Sequence, residues 1–282
     1  MTSERGRVTV EEGVVFGTGG GRDLKCDVFV PLDAPRNAPA VLLVHGGAWR
    51  QGDRAQLRGY GILLGREGFV CVASDYRLTG ESPWPAQIHD VKAAIRWMRA
   101  SSDRLGIDPA KIAVQGNSAG AHLALLAAGT PNVAEFEGDG GNDDVSCEVA
   151  AAIGIYTPTL FFHGGKRPSG GLPATALMGD ASTVDRARAA SPITYVSERF
   201  PPTLLIHGTA DETVPPSASL RMYEALVAAA VPVELHMYAE QPHAFDAARD
   251  FGRQCAAEMR LFLSRYVGVP SAAASAEAAG AS

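Results

Sequence analysis

The chain has 282 residues, of which 46% are hydrophobic and 20% charged, enough for one substantial core in a single α/β-sized domain. Its formal net charge of −6 comes from 25 basic and 31 acidic residues, and the basic ones are scattered, which excludes the concentrated footprint of a nucleic-acid binder. No apolar run approaches the roughly 18 residues of a membrane span, and residues 1–13 lack the apolar core of a signal peptide. The chain as it stands therefore reads as cytoplasmic, or as secreted had a leader been trimmed.

In chain order, residues 8–16 and 25–30 alternate in polarity around the turn-rich stretch GTGGGRD and predict an antiparallel hairpin. Six near-continuous apolar runs follow, at 40–44, 69–74, 111–115, 149–155, 202–206 and 233–238, the pattern of parallel strands buried on both faces. Helical periodicity fills the gaps at 54–66, 86–100, 119–128, 217–230 and 247–266. The expectation is one α/β domain over residues 1–269, with a mostly parallel eight-stranded sheet and helices on both faces. Residues 156–196 break the alternation and read as a short lid-like insertion near the active site. The Ala/Ser-rich tail 270–282 reads as disordered. The acidic run 135–144 lacks the spacing of a calcium loop and reads as a solvated surface loop. Cys26, Cys71, Cys147 and Cys255 are widely spaced without a C-x-x-C pair. They make neither a disulfide framework nor a zinc site, and Cys26 and Cys71 read as buried thiols within strands.

The most informative stretch is Gly116-Asn117-Ser118-Ala119-Gly120, a G-x-S-x-G pattern. Alone it is weak, but here an apolar strand precedes it and an Ala/Leu helix follows, the setting in which a serine is held on a sharp strand-to-helix turn. A serine hydroxyl needs a general base. Of the seven histidines, His236 falls in a strand and His89 and His122 on helices, which suits packing or surface roles. His45 and His207 end strands but come too early in chain order, and His163 sits in the insertion as a conceivable substrate contact. His243 follows the last strand and completes the order serine, acid, histidine. The acid expected to orient it is Asp211, after the preceding strand, with Glu212 as second choice; Asp246 is close to His243 in sequence and is set aside. Gly46 and Gly47, at the end of the strand Val41-Leu-Leu-Val-His, bring backbone amides close to a substrate oxygen. With the amide of Ala119 they form the expected oxyanion hole.

These motifs resemble those of α/β-hydrolase esterases of the H-G-G-x-W group: hormone-sensitive-lipase-like carboxylesterases, bacterial acetyl and feruloyl esterases, and kynurenine formamidases. The matching stretches HGGAW, SDYRL, GIDPAKIAVQGNSAGAHLA, ASPITYV, LLIHGTADETVP and QPHAF lie within about residues 40 to 250. The resemblance implies the α/β-hydrolase fold, a Ser118–Asp211–His243 triad, and an oxyanion hole from Gly46, Gly47 and Ala119. HGGA replaces the HGGG of the lipase-like members. The 44 residues before His45 leave no room for an N-terminal helical cap, so the acetyl and feruloyl esterases are the nearer match. The expected activity is hydrolysis of short-chain carboxylic esters of small molecules through an acyl-enzyme, with no metal, organic cofactor, nucleic acid or membrane. The nearest alternative is an arylformamidase; a noncatalytic binding protein on the same scaffold is disfavoured because all three motifs are present. Trp49, Trp84, Tyr156, Phe161 and Phe162 are the candidate substrate contacts, equally suited to the core.

Overall fold

Apolar runs bounded by glycines and turns settle side by side into a single sheet, and the computed structural model describes it over residues 2–4, 8–161 and 174–268. Among the described residues the strands are β1 (Thr2–Glu4), β2 (Val8–Gly19), β3 (Arg22–Pro31), β4 (Ala38–Val44), β5 (Val70–Ser74), β6 (Ile107–Asn117), β7 (Ala151–Ile155), β8 (Thr203–Gly208) and β9 (Val233–Tyr238). Their order is β1-β2-β3-β5-β4-β6-β7-β8-β9. The first three strands are antiparallel and β3 pairs antiparallel with β5, whereas β4 through β9 run parallel with β5. All eight expected strands are present, and β1 adds a short ninth at the hairpin edge. The hairpin turns at Gly20 and Gly21, whose φ values of 59° and 80° suit a tight two-residue turn.

The helices are α1 (Arg58–Arg66), α2 (Ala86–Ala100), α3 (Ser102–Leu105), α4 (Ala119–Gly129), α5 (Ala174–Met178), α6 (Val184–Ala189), α7 (Ser217–Ala228) and α8 (Arg249–Tyr266). Alternate residues of each strand feed two cores. Leu42, Val44 and Val114 pack beneath α2, α4 and α7, and Val41, Leu43 and Ile153 pack beneath α1 and α8. Helix α4 carries apolar residues on all sides because it lies inside the first layer, with ten of its eleven residues buried. None of the described helices is long and apolar enough to cross a membrane.

Two ionic clusters fix the elements that flank the site. Asp27 on β3, fully buried, accepts from Arg54 (2.8 Å), from Arg58 (3.0 Å) and from the Gly13 amide (3.0 Å), which holds the start of α1 against the sheet. Lys92 and Arg96 of α2, both buried, reach Glu137 at 2.7 and 3.1 Å. The acidic stretch is therefore only partly a solvated loop. Glu137 is drawn under α2, because two buried cations need a counter-charge, while Asp139, Asp143 and Asp144 stay exposed. All four cysteines are free and buried. The tail 270–282 and residues 162–173 of the insertion lie outside the described residues.

Candidate active site

The C-terminal ends of the parallel strands converge on Ser118. Between the end of β6 and the first turn of α4 its backbone takes φ 52° and ψ −117°, a conformation few non-glycine residues adopt and one that costs about 1–3 kcal/mol. The flanking glycines make the turn possible. A Cβ on Gly116 would lie 2.3 Å from the backbone of Gly120, and one on Gly120 would lie 2.1 Å from the Val44 carbonyl. The Ser118 amide donates to the Ile155 carbonyl (2.9 Å), which locks the turn to β7.

Ser118 Oγ lies 2.9 Å from His243 Nε2, and His243 Nδ1 lies 2.7 Å from Asp211 Oδ2. The other carboxylate oxygen of Asp211 accepts the amides of Thr213 (2.9 Å) and Val214 (2.8 Å). Burial alone would raise the Asp211 carboxyl. The hydrogen bonds from His207, His243 and the Val214 amide outweigh it and hold the group well below the usual carboxylate range. Glu212, the second choice for the acid, is exposed and stands outside this chain of hydrogen bonds.

His207 enters the site in a way its position along the chain did not suggest. Its Nε2 lies 3.2 Å from Asp211 Oδ2 and 2.9 Å from the Val214 carbonyl, and its Nδ1 accepts from Ser219 Oγ at 2.7 Å. The Asp211 carboxylate thus faces two imidazoles, with His207 fixing the turn that carries it. The spacing of four residues between His207 and Asp211 was the available signal.

Gly46 sits against the elbow, where a Cβ would meet the Asn117 carbonyl at 3.0 Å, and Gly47 has φ +115° with a would-be Cβ 2.0 Å from the Gln51 carbonyl. Only glycine fits Gly47. Among the described residues no acceptor takes the amides of Gly46, Gly47 or Ala119.

Asp246 lies beneath the serine and is the main polar residue missed from sequence. It accepts from Tyr60 Oη (2.7 Å), Asn117 Nδ2 (2.7 Å) and Tyr156 Oη (2.6 Å), while Asn117 Nδ2 also donates to Tyr156 Oη (2.6 Å). Burial first, and then the Asp246 charge, push both tyrosines well above the usual phenol range and keep them neutral donors. The Tyr156 ring packs on His243 at 4.6 Å, so this network supports the histidine as well as the elbow. A cavity of about 780 Å³ opens above, lined by Gly46, Gly47, Ser118, Tyr156, His243 and Asp246, by Leu57, Tyr60, Ile62 and Leu63 of the α1 region, and by Arg249 and Arg253 of α8.

Of the aromatic candidates, Tyr156 lines this cavity. Trp49, Trp84 and Phe161 are 0%, 4% and 3% exposed and gather around His122 of α4, with ring centroids 5.3, 6.0 and 5.0 Å from it, so the structure places them in the aromatic core. Phe162 and His163 lie outside the described residues. His122 receives the Trp49 indole N–H on Nδ1 (3.2 Å) and donates from Nε2 to the Ala190 carbonyl (2.7 Å). Burial pushes this imidazole down to about 4. Protons bind it more readily in the unfolded chain, so its contribution is intact above about pH 6.5 and is lost as pH falls towards 4, up to about 3 kcal/mol. Thermal melts between pH 7 and 4 should show this slope, and His122→Gln should flatten it; an unchanged slope would mean the acid sensitivity lies elsewhere.

Residues 26–226 match the BD-FAE family model. The chain belongs to the BD-FAE family. Its relatives include Esterase LipC of Mycobacterium tuberculosis, 38% identical across 71% of this chain and 51% of that protein. Esterase LipQ of the same organism is 35% identical across 89% of this chain and 60% of that protein. This BD-FAE member thus spans about half to three fifths of the length of these curated relatives. Among solved structures it is similar to Est2, a thermophilic esterase from the Planctomycetes species Thermogutta terrifontis. The TM-score is 0.80 at 29% identity, over 93% of this chain and 94% of that one. Est2 is matched also in forms with propionate bound, with butyrate bound and phosphonylated by sarin. The BD-FAE member has the α/β-hydrolase fold of these neighbours.

Proposed function

We propose that the chain is a serine esterase for short-chain carboxylic esters. The continuous hydrogen-bond path from Ser118 through His243 to Asp211 carries this reading. Ser118 Oγ attacks the ester carbonyl while His243 Nε2 takes its proton, and the carbonyl electron pair moves to oxygen, where the amides of Gly46, Gly47 and Ala119 receive it. Collapse expels the alcohol, which takes the proton back from His243. Water, deprotonated by the same nitrogen, then releases the acid from the acyl-enzyme. Asp211 keeps the His243 Nδ1–H in place and stabilises the imidazolium. The Est2 forms with propionate and butyrate support a small acyl group here.

A fluorophosphonate labels Ser118 in the intact protein and fails to label Ser118→Ala. Acyl length is the finer test. The cavity wall shares its apolar side chains with Gln51, Gln56, Thr213, Arg249 and Arg253. Among the described residues these polar groups interrupt the apolar lining, so a long acyl chain is not expected to gain the full value of about 0.8 kcal/mol per methylene of an enclosed tunnel. On 4-nitrophenyl esters, kcat/KM should be highest from acetyl to butyryl and fall beyond about six carbons. A steady rise to laurate would overturn the short-chain assignment, and faster turnover of N-formylkynurenine than of any ester would make the chain a formamidase.

A further inference from the structure

The cavity over Ser118 has a cationic end that ester cleavage does not use. Arg249 and Arg253 stand one turn apart on α8 and both line it. Neither guanidinium makes a hydrogen bond or ion pair with any described residue. Like charges at this spacing repel, and no described carboxylate, Asp250 included, forms an ion pair with either. Asp246, the carboxylate in the lining, is turned towards the neutral donors Tyr60, Asn117 and Tyr156 and forms no ion pair with either arginine. Arg54 and Arg58, close in sequence to lining residues, are by contrast matched by Asp27. Both arginines are solvent-exposed, and the apolar side chains Leu57, Ile62 and Leu63 in the same lining weaken the screening of their charge on the cavity side.

We infer that Arg249 and Arg253 are specificity-determining residues that select esters carrying a carboxylate several atoms from the scissile bond. This rests on the serine-esterase reading. The carboxylate can belong to the alcohol or to the acyl part, and two substrate pairs separate these. One is 4-acetoxybenzoate against 4-acetoxybenzamide; the other is mono-4-nitrophenyl glutarate against 4-nitrophenyl valerate, each rate normalised to hydroxide hydrolysis. In one pair the anionic member should be favoured about tenfold in kcat/KM at low salt, with the ratio shrinking in about 0.5 M salt. The ratio should drop to about one in Arg249→Gln/Arg253→Gln and invert in Arg249→Glu/Arg253→Glu. Neutral members favoured in both pairs, or a preference that survives the double substitution, overturns the inference. Should none of the four esters turn over, the esterase reading itself has failed. The arginines are then tested by titrating Ser118→Ala with 4-hydroxybenzoate and 4-hydroxybenzamide. Tighter benzoate binding that the double substitution abolishes supports their role, and equal binding of the two overturns it.

Discussion

Replacing Ser118 by alanine lowers kcat for 4-nitrophenyl acetate by about five to six orders of magnitude, leaving at most the modest residue that binding and the oxyanion hole supply. The fold is expected to survive. The Ser118 side chain makes its hydrogen bond to His243, whose side chain is 20% exposed, so the imidazole can bond water instead. The strained φ of 52° persists in alanine, and the glycines that accommodate the elbow are untouched. Stability should therefore change by no more than about 1 kcal/mol, as a thermal melt would record. Purified Ser118→Ala that still turns over at a substantial fraction of the wild-type rate ends the serine mechanism.

Asp211→Asn is expected to cost about 10³- to 10⁴-fold in kcat. The amides of Thr213 and Val214 point at Oδ1 and oblige the asparagine to keep its carbonyl oxygen there. Its NH₂ group must then face both His243 Nδ1 and His207 Nε2. Against an NH₂ donor His243 presents a bare Nδ1, so its proton moves to Nε2, the atom that must receive the Ser118 proton. The variant also meets the His207 N–H with another donor and gives up a carboxylate that His207 and His243 hold ionised. A group with its native titration point lowered contributes stability above its unfolded value and loses it as pH falls through the native one. The wild type is therefore stabilised by Asp211 at neutral pH in a way the variant is not. Near-normal activity in Asp211→Asn together with a large loss in Glu212→Gln would reassign the acid.

The strands and main helices were legible because their signals are local: apolar runs bounded by glycine, and a serine between a strand and a helix. The order serine, acid, histidine needed only motifs near strand ends. Asp246 was set aside as the acid for its closeness to His243, and its contacts were invisible because its partners Tyr60 and Asn117 are 186 and 129 residues away, where no local pattern marks them. His207 was set aside on chain order, though its value is to hold an acid four residues on. Trp49, Trp84 and Phe161 adjoin the site in sequence. The left-handed backbone at Ala48 and Trp49 accompanies an indole packed against α4, which residue type alone does not reveal. The start of the hairpin at β1 is too short to carry a pattern.

Asp246 also sets when the site can come into being. Its three donors sit on α1 and at the ends of β6 and β7, so the support under the elbow joins segments that only the finished sheet brings together. Contacts of such long sequence separation form late, after the loop-closure entropy of the whole chain has been met. A collapsed chain whose last helix is still undocked has the glycine turn and the serine but neither their carboxylate nor the base. On the esterase reading, hydrolysis is expected to begin only once the segment carrying His243 and Asp246 has docked, so its onset in refolding would report that docking rather than collapse of the chain.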